Sequence, residues 1–264
     1  MKLKLIIAYD GANYAGWQTQ KTGIGVQQRV EEAVAKIFPD APRLQSSSRT
    51  DTGVHALGMV AHLELPAVKM APTKVALALN AYLPPDIRVM RVSRARPDFE
   101  ARFSAKGKQY RYFIWVGAAM NPLLRHTAWH LCRPVNLAAM RQAAKLFIGR
   151  HDFKSLAANR GYQPETTVRA LTRCNIKRSG QLLTVIIEGD GFLYKMCRGI
   201  VGTLAQVGQG KIAPEAIKEI LAQRDRRVPP RALFPMALAA MPNEDGRLTV
   251  TLRMAVMTGW APPA

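Results

Sequence analysis

A carboxylate placed close to an arginine and just before a glycine is a candidate reactive group, and the run Ser48-Arg49-Thr50-Asp51-Thr52-Gly53-Val54-His55-Ala56 contains one. Carboxylates are ionised at neutral pH, and the neighbouring Arg49 would keep Asp51 charged while fixing its direction. Two further side chains complete the set. Tyr110 offers a ring on which a flat nucleobase can stack, and Arg198 offers a second cation. Together the four suit nucleophilic or electrostatic attack at a sugar carbon next to a base. Each also has an ordinary structural role open to it: Asp51 as a turn residue, Tyr110 as sheet packing, Arg198 as a solvated helix charge.

The elements that must position these residues read as follows. Lys2 to Tyr9 alternates basic and apolar residues and predicts a strand, ended by Asp10-Gly11. Val26, Val30, Ala33, Val34, Ile37 and Phe38 recur at helical spacing, so a helix from about Gly25 to Phe38 should pack on that strand. Strands near Met59 to Leu65 and Ile87 to Val92 flank a short helix from Thr73 to Leu83 that Pro84-Pro85 ends. Asp51 is therefore expected on a loop between a helix and a strand, where a side chain can face a cleft. A strand from Gln109 to Val116 opens the second half, followed by a helix from Leu137 to Ile148 with Asn136 as N-cap and Gly149 as its stop. Strands at Ala170 to Arg178 and Leu182 to Glu188, joined by Ser179-Gly180, form a hairpin, and helices begin near Phe192 and after Pro214. Ser155 to Glu165 reads as a polar, turn-rich loop. The expected class is α+β: two ferredoxin-like halves, 1–105 carrying the Asp51 loop and 106–264 completing the site, with mostly antiparallel sheets joined across a central cleft.

Lys plus Arg number 38 against 18 Asp plus Glu in 264 residues, a formal charge of +20 spread along the whole chain. Phosphate neutralisation with counterion release rewards that distribution, so a polyanion is the expected partner. No apolar run approaches the roughly 20 residues of a spanning helix and the N-terminus lacks a signal-peptide core, which predicts a cytoplasmic protein. Cys132, Cys174 and Cys197 are odd in number and far apart, a pattern of neither a disulfide framework nor a zinc site. His126 and His130 stand at i, i+4 with no Glu between them and no third ligand nearby, so no metal is expected there.

Several blocks, in order, resemble the tRNA pseudouridine synthase A family. They are Tyr9-Asp10-Gly11 with Tyr14-Ala15-Gly16-Trp17-Gln18, Val26-Gln27, the Arg49 to Ala56 signature, Phe99 to Ala105, Tyr110-Arg111-Tyr112, Gly149 to Phe153, Gly191 to Arg198, and Gly202-Thr203-Leu204 to Gly208-Gln209-Gly210. The resemblance runs over roughly residues 3 to 228. It implies isomerisation of uridine to pseudouridine in tRNA, without metal, cofactor or energy source. Asp51 would be the essential carboxylate, attacking C1′ of the ribose or promoting a glycal-type route. Arg49 would help displace the target nucleotide, Tyr110 would stack on the uracil, and Arg198 would pair with Asp51. The implied substrate is the anticodon stem-loop at tRNA positions 38, 39 and 40, held by a homodimer.

Ser48 and Thr52 stand where the family pattern usually has Gly and Ala. After Val228 the family's closing pattern is not reproduced, and Leu248 to Met254 is the stretch expected to supply a substitute strand. A basic tRNA-binding or folding protein without turnover is the competing expectation, and a hydrolase releasing free uracil ranks behind it.

Overall fold

The computed structural model describes residues 1–66, 69–158 and 165–223, together with the backbone of 254–258. The chain separates into two compact units, one running from Met1 to Lys108 and including the strand Met254–Thr258, the other beginning at Gln109.

In the first unit, alternation in the sequence becomes a two-faced strand. β1 (Lys2–Tyr9) buries Leu3, Leu5, Ile7 and Tyr9 on one face. It pairs antiparallel with β3 (Ala56–Glu64) on one side and β4 (Ile87–Ala95) on the other, with Leu5 opposite Ala61 and Val92. The far edge of β3 carries the short β2 (Gln45–Ser46) and, in parallel, β10 (Met254–Thr258), where Val256 faces Ala56. Of the strand expected over Leu248 to Met254, all but Met254 lies outside the described residues.

α1 (Val26–Ile37) buries Val26, Val30, Ala33 and Val34, a stripe at helical spacing. Its first amides are not left unpaired: Val26 N–H donates to Gly16 O (3.0 Å) and Gln27 N–H to Trp17 O (2.8 Å). α2 (Pro72–Tyr82) opens on a proline, buries Val75 and Leu79, and stops before Pro84-Pro85 as the sequence predicts. These side chains and the β1 and β3 core residues form one apolar cluster; each fully buried Leu, Ile or Val contributes about 1.5–3 kcal/mol.

The second unit orders its strands as β5 (Lys108–Val116), β9 (Leu182–Gly189), β8 (Val168–Ser179) and β7 (Gly149–Asp152). β6 (Trp129–Leu131) adds to β5 in parallel. β8 and β9 form the predicted hairpin, closing with Ser179 opposite Leu182. α3 (Leu137–Leu146) is capped as expected, Asn136 Oδ1 accepting from Ala139 N–H at 3.0 Å. α4 (Met196–Gly208) is buried along most of its length and packs against α3, while α5 (Ala216–Ala222) is tied to the chain after β7 by Ser155 Oγ, which donates to Ile220 O at 2.7 Å.

Two expectations change. The helix expected from Phe192 starts only at Met196, because Lys195 adopts a left-handed backbone (φ 58°, ψ 7°) that a right-handed helix cannot include. The loop expected from Ser155 begins instead as a buried 3-10 turn, Lys154–Leu156, since Ser155 and Leu156 pack inside the unit; residues 159–164 lie outside the described residues. Strand pairing within each unit is mostly antiparallel and both units mix helices with strands, an α+β fold.

Candidate active site

Asp51 lies between β2 and β3 on a loop fixed from both sides. Burial alternates along it: Ser48 and Thr50 are inside, Arg49 is exposed and Asp51 half-buried, so the two charged side chains share the outer side. Thr50 Oγ1 and Tyr9 OH share a buried hydrogen bond of 2.8 Å, and Thr50 O accepts from Trp17 N–H at 3.1 Å. After Asp51 the chain turns at once. Val54 N–H donates back to Asp51 O (3.1 Å), with Gly53 at φ 75° in the third position, where a type II turn requires a positive φ.

The loop's partner is the segment from Asp10 to Trp17. Gly16 has φ 96°, and a Cβ there would sit 2.5 Å from Thr50 O and 3.1 Å from the Asp51 carbonyl carbon. Only glycine allows that approach. Gly53 N–H reaches Tyr14 O (3.3 Å), and Tyr14 OH donates to Asp86 Oδ1 (2.8 Å). Burial, reinforced by that bond, pushes the Tyr14 hydroxyl up to about 12, so it remains a donor at neutral pH. At the loop's far end His55 Nδ1 lies 3.2 Å from Gly11 N and 2.9 Å from Asp10 Oδ1. Without a proton Nδ1 accepts from Gly11; with one it donates to Asp10, so the loop stays tied in either state.

In the second unit, Tyr110 and Tyr112 are both buried on one face of β5. Tyr110 meets Phe192 edge to face, ring centroids 4.7 Å apart at 72°. Burial drives the Tyr112 hydroxyl well above its ordinary pKa, and the positive charge of Arg198 works against that rise. Arg198 is half-buried in the first turn of α4. That turn follows directly from Lys195, the one non-glycine residue with positive φ among the described residues, a conformation costing roughly 1–2 kcal/mol. A cation in a helix's first turn also opposes the helix dipole.

Asp51 and Arg49 therefore share one loop of the first unit, whereas in the second Tyr110 lies against Phe192 and the charge of Arg198 acts on Tyr112. Sequence reasoning missed Phe192 as the ring beside Tyr110, and Tyr9 and Gly16 as the residues that hold Thr50. Their blocks were visible, but nothing local in a sequence announces a bond between positions 9 and 50. Among the described residues no three His, Cys, Asp or Glu side chains gather as a metal site; His130 Nε2 instead meets Gly117 O at 2.7 Å. No helix among them is long and apolar enough to cross a membrane.

Known proteins share this sequence along most of its length. The family model described as tRNA pseudouridine synthase matches residues 5–104 and 143–240. Arg49 and Asp51 fall in the first stretch and Arg198 in the second, whereas Tyr110 falls between them. The tRNA pseudouridine synthase A of Geobacter sulfurreducens is 44% identical over 220 residues, covering 83% of this chain and 89% of its own. That of Syntrophotalea carbinolica is 42% identical over 248 residues (92% and 97%), and the tRNA pseudouridine synthase A 1 of Protochlamydia amoebophila 41% over 253 residues (93% and 98%). With an α+β fold, a presented carboxylate and similarity of this extent, the chain belongs to the tRNA pseudouridine synthase family, the isomerases that convert uridine to pseudouridine in tRNA.

Proposed function

We propose that the uridines it isomerises are those of the anticodon stem-loop, tRNA positions 38, 39 and 40, and that Asp51 is the carboxylate that breaks the glycosidic bond. Asp51 acts at the ribose, by attack on C1′ or through a glycal. The N1–C1′ bond breaks, the uracil turns, C5 bonds to C1′, and the C5 proton leaves as N1 takes one up, so the base is isomerised with no net change in composition. Arg49 helps displace the target nucleotide, Tyr110 stacks on the uracil, and Arg198 supplies the counter-charge for Asp51. Extracting a base from its stack costs a few kcal/mol, which cationic and stacking contacts must offset. The working form is a cytoplasmic homodimer.

The observation that carries these roles is the presentation of Asp51: a half-buried carboxylate on a turn whose preceding residue is fixed by Tyr9 and Trp17 and whose following residues are fixed by Tyr14. A carboxylate held this way loses little freedom on meeting a sugar, which is how orientation lowers a barrier. The position assignment is tested by mapping pseudouridine in unmodified tRNA after incubation with the protein, using carbodiimide adducts read as reverse-transcription stops. Stops at 38, 39 or 40 are expected; product only at other positions contradicts the assignment. Sedimentation at micromolar concentration should give twice the chain mass, and a monomer would overturn the dimer.

A further inference from the structure

After β4 the chain doubles back over the sheet face that α1 and α2 leave uncovered. The Phe99 ring lies 5.9 Å from the His62 ring, edge on, and 5.5 Å from Lys4 Nζ. Lys2 Nζ donates to Phe99 O (3.1 Å) and to Glu100 Oε1 (2.6 Å), and Ala101 N–H donates to His62 Nδ1 (3.1 Å). Glu100 and Ser104 then close a turn on each other, Ser104 N–H to Glu100 O at 2.7 Å and Glu100 N–H to Ser104 Oγ at 3.0 Å. From this pinned turn Phe103 projects 80% exposed, with the Arg102 guanidinium carbon 5.4 Å from its ring centroid.

An exposed phenylalanine alone is ordinary. A ring held out by an anchored turn, with a cation over one face and the other open, has the parts of a stacking platform for a base and its phosphate. Exposed Arg96 and Lys106 lie close to it along the chain, Arg96 paired with exposed Asp98 (3.3 Å), and Glu100 is already occupied by Lys2. A second copy of this chain would bring the same positive charge to a self-contact, which disfavours it; a polyanion is favoured. We infer that Arg102 and Phe103 form an RNA-contact subsite, the ring stacking on a nucleobase of tRNA and the guanidinium meeting an adjoining phosphate. The inference rests on tRNA as the substrate and assigns no role in the chemical step.

The test uses the full chain and an unmodified tRNA transcript. Phe103→Ala should weaken tRNA binding roughly tenfold and raise KM by a similar factor, with kcat and the urea midpoint unchanged, and Phe103→Trp should restore affinity. Arg102→Ala should lower the salt dependence of binding by about one phosphate contact. Wild-type affinity and KM in Phe103→Ala would overturn the subsite, as would a shift of that variant to monomer in sedimentation. Wild-type tritium release from C5-labelled tRNA, run alongside, separates the two levels: release with an unaffected Phe103→Ala defeats the subsite alone, whereas no release defeats the catalytic reading beneath it.

Discussion

Replacing Gly16 by alanine should damage catalysis through geometry alone, without touching a charged group. Two costs arise. The backbone at φ 96° is one that an L side chain rarely adopts, and left-handed strain of this kind costs about 1–2 kcal/mol. In addition the new Cβ would stand 2.5 Å from Thr50 O, so that carbonyl must move about 0.9 Å to reach an ordinary 3.4 Å contact. Thr50 O is the acceptor for Trp17 N–H, so the movement also weakens a hydrogen bond worth about 1 kcal/mol. The total is about 2–3 kcal/mol, and because Asp51 follows Thr50 directly, its carboxylate shifts with it. A misplacement near 1 Å can lower a rate by about 10²-fold. Gly180→Ala is the control: φ is again positive, at 58°, but nothing lies within 4 Å of the added carbon. It should cost only the strain and leave turnover intact. The assays are urea denaturation and tritium release at matched folded concentration, with tRNA binding measured in parallel. If Gly16→Ala is no less stable than Gly180→Ala and turns over at the wild-type rate, the loop is not held as described.

Other consequences follow from the same structure. Asn136→Ala removes the cap that accepts from Ala139 N–H and should lower stability by about 1 kcal/mol; an unchanged urea midpoint would show that the cap contributes nothing. The hydrogen bond from Lys2 holds the Glu100 carboxyl below its usual range, a contribution present above the ordinary carboxylate pKa and lost as pH falls through the lowered one. Burial lowers His62, so the unfolded chain takes up that proton first and stability declines as pH drops below about 6.5. Urea midpoints should therefore fall from near pH 6 downward, with Glu100→Gln flattening the more acidic part; a midpoint constant from pH 7 to pH 4 would refute both assignments. Affinity for tRNA should fall steeply between low and moderate salt, and a flat response would undermine phosphate-led recognition.

Legibility in the sequence tracks how local each cause is. β1 and α1 were readable because alternation and a Val26-Val30-Ala33-Val34 stripe are properties of a few adjacent residues. Asn136 was readable for the same reason. β2, β6 and β7 were not, since strands of two to four residues exist only through partners that fold next to them. α4 starts later than the apolar residues from Phe192 onward suggest, because the left-handed backbone of Lys195 has no signal in the local sequence. At the site, Asp51 and Arg49 announce themselves by type and spacing. What holds them, Tyr9 against Thr50 and Gly16 against Asp51, joins positions more than thirty residues apart and becomes visible only in three dimensions. The Phe99 to Ala105 block is visible as a pattern, but that Phe103 stands 80% exposed is not legible from it.

The most direct test of the central claim is tritium release from unmodified tRNA labelled at uridine C5, with wild type and Asp51→Asn compared at equal folded concentration. Release by wild type alone, with the tRNA affinity of Asp51→Asn within about tenfold of wild type (about 1.4 kcal/mol), is the predicted result; release by Asp51→Asn at the wild-type rate would contradict the role of Asp51.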